Sequence, residues 1–194
     1  MSHIVFLLEE RSMKVLLDGL IPRLFPNLPF LCIPHEGKQD LEQSIPRKLR
    51  AWRTPGVHFV VVHDNDSDDC LVLKQRLVDL CTAGHRDDTL VRIACQELEA
   101  WYLAEPDALA SAFGNENLRR IGAKALYRDS DAIVRPSFEL EKLVPEFQKV
   151  SGARRMAPHM TRERNRSRSF RTFISGLERI AGRWESQRES GEMY

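Results

Sequence analysis

Several signals are missing from this 194-residue sequence. No run of about 18 apolar residues occurs, which excludes a membrane-spanning helix. The start, MSHIVFLLEERS, has neither a basic leader nor a small-residue cleavage site, so it is expected to form a first strand and not a signal peptide. Cys32, Cys70, Cys81 and Cys95 make no C-x-x-C pair and no zinc-finger spacing. Without a secretion signal they are expected to stay reduced, in the cytoplasm. There is no G-x-x-x-x-G-K-[ST] phosphate loop, no G-x-G-x-x-G dinucleotide fingerprint, no G-x-S-x-G elbow and no H-E-x-x-H pair. Asp64-x-Asp66-x-Asp68 begins like a calcium loop, but Asp69 stands where that loop needs Gly, and Gln75 stands where it needs Glu.

What is present is a folding composition, 42% hydrophobic and 29% charged, in a chain of single-domain size that can bury a core without disulfides. The net charge of +1 hides an asymmetry. Residues 151–194 carry 10 Arg, no Lys and 5 Glu, a balance of +5, which leaves −4 for the rest. A basic tail segment on a mildly acidic body points to a polyanion contact.

The first half alternates strand and helix. Ile4–Leu8, Phe30–Ile33, His58–His63 and Thr89–Ala94 are apolar runs of strand length. Between them, Val15, Leu16, Leu20 and Leu24, then Leu41, Ile45 and Leu49, then Leu73, Leu77 and Leu80 fall at helical spacing. Ser12 is a candidate N-cap for the first helix, and Pro46 is expected to bend or split the second. Strands that are apolar on both faces and joined by helices require a parallel sheet. The expected fold is α/β: a four-stranded parallel Rossmann-like sheet in 2-1-3-4 order, residues 1–103, with a mostly helical extension, 104–194. Beyond residue 96, helices are expected at 98–103, 106–113, 138–150 and from Phe170 to Ile180. Residues 151–168 show no apolar periodicity and are expected to be a loop, and 185–194 a frayed end.

In open parallel sheets ligands bind beyond the carboxyl ends of the strands. There the sequence places Glu9 and Glu10 after the first strand, and His35, Glu36, Gly37 and Lys38 after the second. Asp64, Asn65, Asp66, Ser67, Asp68 and Asp69 follow the third strand, and Glu97 and Glu99 the fourth. Crowded carboxylates repel one another unless a cation neutralises them, and hard divalent ions take oxygen ligands. On extended backbone, Asp64 and Asp66 would point to one side. Glu9 or Glu10 would complete the site or act as general base. The plainer alternatives are that Ser67 or Asp68 caps the next helix, that Glu9 and Glu10 merely favour a helix start, and that His63 is structural.

These strand-end acids resemble the Toprim domain of topoisomerases, primases and related nucleases. LLEERSMKVLL, IPHEGKQDL, VVVHDNDSDDC, RIACQELEAWYL and VSGARRMAPHM…NRSRSF resemble the DUF4276 family more closely, and those blocks span nearly the whole chain. The Toprim likeness implies Mg²⁺- or Mn²⁺-dependent phosphodiester chemistry of the nuclease type. Glu9 would match the Toprim glutamate and Asp64 and Asp66 its D-x-D metal pair, with Glu10 standing where many Toprim domains have Gly. Glu97 and Glu99 lie in the E-L-E-A-W block. At i and i+2 they would not share a helix face, and Glu97, nearer the strand end, is the better candidate for a further metal ligand. Some relatives accompany ATPase partners in prokaryotic phage-defence loci, so the resemblance also implies a non-catalytic partner subunit as the alternative. A third reading is a receiver-like domain phosphorylated on Asp64, weakened by the lack of a fifth strand presenting a lysine.

Arg154, Arg155, Arg162, Arg164, Arg166, Arg168 and Arg171 crowd one stretch opposed only by Glu163. Arginine favours bidentate phosphate contacts. Arg164, Arg166 and Arg168, with Lys38, are the expected phosphate contacts of a nucleic-acid partner; the alternative is a basic loop docked on its own acidic body. Trp52 and Trp101 sit at apolar positions and are expected in the core.

Overall fold

The computed structural model describes residues 3–189, with side chains through Trp184. The first half runs β1 (His3–Leu8), α1 (Arg11–Leu24), β2 (Phe30–Pro34), α2 (Lys38–Ala51), β3 (Val57–Asp64), α3 (Cys70–Ala83) and β4 (Leu90–Ala94). The strands form one sheet, parallel as the alternation of apolar runs and helices requires, in the order β2-β1-β3-β4 expected by analogy with doubly wound sheets. This is the start of the doubly wound 2-1-3-4 arrangement, whose direction switches between β1 and β3. The second half holds α4 (Glu99–Leu103), α5 (Pro106–Phe113), short 3₁₀ turns between Glu116 and Ala132, α6 (Pro136–Leu143), α7 (Lys149–Met156) and α8 (Arg168–Glu189).

Side chains alternate across each strand, so the sheet has two apolar faces. Val5, Leu7, Phe59, Val61, Val91 and Ile93 pack under Leu41, Ile45 and Leu49 of α2 and Leu73 and Leu77 of α3. On the opposite face, Ile4, Phe6, Leu8, Val60 and Val62 join Leu16 and Leu20 of α1, and Trp101, Phe170 and Phe173. Trp101 is fully buried and stacks on Phe173 at 5.3 Å. This second core continues without a break past residue 103 to Leu109, Leu140, Met156 and Leu177. α8 crosses β4 where Gly176 faces Arg92; a Cβ at Gly176 would come within 2.8 Å of the guanidinium.

Several local expectations are corrected. α2 is a single helix through Pro46, which costs one backbone hydrogen bond without splitting it. α1 begins at Arg11, so Ser12 is a buried second residue whose hydroxyl donates to Glu10 and not a cap. The cap of α3 is Asp69, whose Oδ1 accepts from the backbone N–H of Leu71 and Val72 at 2.9 and 3.0 Å. The helix expected over 138–150 ends at Leu143, because Pro145 drives Val144 out of helical backbone. Helix α7 then occupies part of the expected loop. Two of its three buried residues, Gly152 and Ala153, are small and therefore silent in a periodicity reading: a Cβ on Gly152 would meet the Phe147 ring at 2.2 Å, and one on Gly19 of α1 would meet Ala157 at 2.7 Å. The final helix carries Phe170, Phe173, Ile174, Leu177 and Ile180 inward, as its spacing predicts. Of the expected frayed end, residues 190–194 lie outside the described residues.

Candidate functional site

The carboxyl ends of β1, β3 and β4 converge at the switch point. The chain holds them together through the backbone. Asn65 N–H donates to Ala94 at 3.2 Å, Asp66 N–H donates to Gln96 at 2.8 Å, and the Asn65 carboxamide oxygen accepts from Gln96 N–H. On the β1–β2 side Gly37 adopts φ 100°, a conformation suited to glycine, and its N–H donates to Glu9 O at 2.9 Å.

Glu9 and Asp64 meet as the sheet register dictates, Leu8 pairing with Val62. Glu9 Oε2 accepts from Asp64 N–H at 3.0 Å and lies 3.0 Å from His63 Nδ1. Burial pushes the Glu9 carboxyl up, but the His63 hydrogen bond and charge outweigh it and hold it below its ordinary value. The same contact raises His63 against the opposing pull of burial. Glu9 is therefore an anion tied to a histidine, and His63 orients the site while also lying 3.5 Å from Glu42.

Asp64 is 4% exposed, and its Oδ1 has no hydrogen-bond partner among the described residues. Burial first, then the charges of Glu9, Glu99 and Glu10, push its carboxyl well above the ordinary range. Asp66 goes elsewhere. Its backbone turns left-handed (φ 48°), which abolishes the extended geometry that would align two D-x-D side chains. Its carboxylate sits on the rim, 3.3 Å from Lys38 Nζ, with both side chains 46% exposed. The structure therefore places Lys38, the expected phosphate contact, against an aspartate.

Glu97 and Glu99 lie in different surroundings. Glu97 Oε2 accepts from Ser137 N–H at 2.6 Å, satisfying an otherwise free amide in the first turn of α6. Glu99 opens α4 and is fully buried, with neither carboxylate oxygen hydrogen-bonded among the described residues. Burial pushes it up to about 7. The Tyr102 hydroxyl, also fully buried, lacks a hydrogen-bond partner as well, and its phenol is raised by burial and by Glu99, Glu10 and Asp64. Lys149, the first residue of α7, brings Nζ within 3.3 Å of Glu10. Burial lowers its ammonium, and the charges of Glu99, Glu10 and Asp64 more than reverse that. The sequence reading missed Lys149 and Tyr102. Lys149 lies far along the chain, at the end of the expected 138–150 helix and the start of α7, and Tyr102 sits in an apolar run.

This arrangement covers the segment of the chain that a family model recognises: residues 8–178 match the Domain of unknown function (DUF4276), from the end of β1 into α8. The chain belongs to the DUF4276 family. Every acid at the switch point, and Lys149, falls within the DUF4276 match. No curated protein and no solved structure matches the chain.

Among the described residues of this DUF4276 protein, no group of three or more His, Cys, Asp or Glu is arranged to hold a metal. A closed structural zinc site takes four such ligands. Magnesium has other needs: one or two carboxylates suffice when water and substrate oxygens fill the remaining positions. A buried carboxylate oxygen with no partner calls for a water or an ion, and Asp64 Oδ1 fits that role.

The arginine segment is built differently. Arg166 Nε donates to Ala104 O at 3.3 Å, and Arg171 Nε to Asn165 O at 2.7 Å. Arg155 Nε donates to Ala112 O at 2.8 Å. Arg164 pairs at 3.3 Å with Glu105, which is 1% exposed and also accepts from the Thr161 amide and hydroxyl. Arg168 pairs with Asp129 at 2.9 Å, and its side chain is 77% exposed, against 59% for Arg164 and 46% for Lys38. No helix of the described residues is long and apolar enough to cross a membrane.

Proposed function

We propose that this chain is a divalent-metal-dependent enzyme of phosphodiester cleavage, a nuclease-type activity, with its site at the carboxyl ends of β1, β3 and β4. One observation carries the reading: the buried Asp64 carboxylate oxygen without a partner, set among Glu9, Glu10 and Glu99 where the strand order switches. Such a site is the usual ligand position of a doubly wound sheet. Its acids repel a polyanionic substrate unless a cation intervenes. Asp64 would hold Mg²⁺ or Mn²⁺, which when bound supplies neutralising charge and polarises a phosphoryl oxygen. Glu9, an anion anchored by His63 and the Asp64 amide, fixes the end of β3 and keeps the pocket negative. Glu10 and Lys149 stand at the mouth as a carboxylate and an ammonium within reach of a bound phosphate. The exposed Lys38 and Arg168 each already face an aspartate, so a nucleic-acid backbone would have to exchange those pairs for its phosphates.

The test is cleavage of single- and double-stranded DNA and RNA with Mg²⁺ or Mn²⁺, comparing the wild type with Asp64→Asn. The variant should lose at least about a hundredfold in turnover, the scale on which removal of one electrostatic contact acts. A wild-type rate indifferent to chelator would contradict the reading. A second reading, a non-catalytic subunit docked on an ATPase, is favoured by Leu71 and Val72, which stand 78% and 66% exposed at the start of α3. Inactivity alone, with cleavage appearing or ATPase rate changing only in a complex, would select it.

A further inference from the structure

Three groups from two further elements share the environment of Asp64: Glu99 at the start of α4, Tyr102 three residues on in the same helix, and Lys149 at the start of α7. Both oxygens of Glu99, Asp64 Oδ1 and the Tyr102 hydroxyl are buried without a hydrogen-bond partner among the described residues. Stranding one such atom in a protein interior costs about 1–3 kcal/mol, so four from three residues mark a place built to be filled. The acids alone would not establish that. The Tyr102 hydroxyl adds to it, since a neutral, fully buried donor without an acceptor points to a ligand's oxygen or water. The rim acid Asp66 has a partner in Lys38, and Glu97 has one in the α6 amide.

We propose that Asp64 and Glu99 are the two carboxylate ligands of one divalent cation, with the Tyr102 hydroxyl hydrogen-bonded to its water shell, and that the Lys149 ammonium neutralises this pocket when no ion is bound. The inference rests on the functional reading above only in sharing Asp64, and it stands whether or not the chain cleaves nucleic acid. Two carboxylates with water on the remaining positions is a magnesium- or manganese-type ligand set. Lys149 Nζ, 3.3 Å from Glu10, is positioned to be displaced toward solvent, because its side chain is 44% exposed. Lysine and the ion compete for the same negative field.

That competition gives an unusual signature. Calorimetric and electron-paramagnetic titration with Mn²⁺ alone, on the full chain, should find one bound ion. Glu99→Gln should weaken binding by at least about tenfold, the scale on which metal-site contacts act. Asp66→Asn should change it by less than about twofold, since screened rim charges act weakly. Lys149→Met should tighten binding about threefold or more, because a nearby cation is removed; a merely structural lysine would not do this. Circular dichroism checks that each variant folds, and the Lys149 variant keeps the test decisive if Glu99→Gln does not. Equal Mn²⁺ affinity in Glu99→Gln and wild type, or weaker binding in Lys149→Met, overturns the inference. Loss of binding in Asp66→Asn with retention in Glu99→Gln would move the ion to the rim, overturning this ligand set while leaving a metal-dependent enzyme standing. No binding to wild type at millimolar Mn²⁺ overturns both.

Discussion

Glu99 and Glu105 are both fully or almost fully buried glutamates, six residues apart, and they are opposites. Glu105 accepts hydrogen bonds from the Thr161 amide at 2.8 Å and hydroxyl at 2.7 Å and pairs with Arg164. Glu99 accepts none. The contrast extends to the regions around them. The arginine segment, the most charged stretch of the sequence, spends much of its charge on carbonyls and carboxylates of its own fold. The acidic switch point leaves oxygens unspent. Charge density in a sequence therefore does not locate a binding site; partner accounting does. Buried charges that are paired hold structure, and buried charges that are unpaired await something.

The comparison can be broken most severely at Glu105. Glu105→Ala strands the Thr161 amide and hydroxyl and Arg164 together, and should cost about 2–4 kcal/mol in urea unfolding. A cost under about 0.5 kcal/mol would mean that the Thr161–Arg164 turn is held by something else.

Glu99→Gln should do the reverse. The Glu99 carboxyl titrates at about 7 in the fold against an ordinary 4.5. Below pH 4.5 both folded and unfolded chains hold the proton and nothing is lost. As pH rises from 4.5 toward 7 the unfolded chain ionises first, and stability falls by a total of about 3 kcal/mol. In metal-free buffer Glu99→Gln should remove that fall, raising stability at pH 8 by up to about 3 kcal/mol and at pH 4 by almost nothing. Identical pH–stability curves for variant and wild type would show that Glu99 is paired after all.

Arginine variants give the next step down. Arg166→Ala removes donors to the Ala104 and Tyr127 carbonyls and should cost about 1–2 kcal/mol. Arg168→Ala touches only an exposed pair with Asp129 and should cost less than about 0.5 kcal/mol. In a nucleic-acid binding assay the order should invert: Arg168→Ala flattens the dependence on salt by about one phosphate contact, and Arg166→Ala leaves the slope alone in the folded protein. An equal change of slope in both variants would return the whole segment to a phosphate-binding role.

A further small effect concerns His35, buried with Nδ1 2.8 Å from Leu8 O and Nε2 2.9 Å from Lys48 Nζ. Burial lowers its pKa below the ordinary 6.5. Its contribution is thus complete above pH 6.5 and declines as pH falls below it, because the unfolded chain takes up the proton first. His35→Gln should flatten that decline by under about 1 kcal/mol in thermal melts.

The sheet was legible because its signal is local. Apolar runs such as Phe59–Val62 buried on both faces could only be parallel strands, and the strand-end rule pointed to Glu9 and Asp64, which the structure brings together at the switch point. The site's other members were hidden for distinct physical reasons. Asp66 left the pocket through a left-handed φ, which no spacing rule reveals. Glu97 was the better candidate by its place near the strand end, but α6, distant in sequence, engages it through the Ser137 amide. Lys149 arrived on a helix whose packing depends on Gly152 and Ala153, residues without a hydrophobic signature. The arginines looked free because the carbonyls they bind, those of Ala104, Ala112 and Tyr127, carry no side-chain mark in the sequence.

The most direct test of the central claim is an anomalous difference map from a crystal of the full chain soaked in Mn²⁺. The account predicts a peak inside the switch point, bonded to carboxylate oxygens of Asp64 and Glu99, with Lys149 Nζ moved outward. A peak on the rim between Asp66 and Lys38, or a clean map with the Asp64 and Glu99 oxygens still unpartnered, would contradict it.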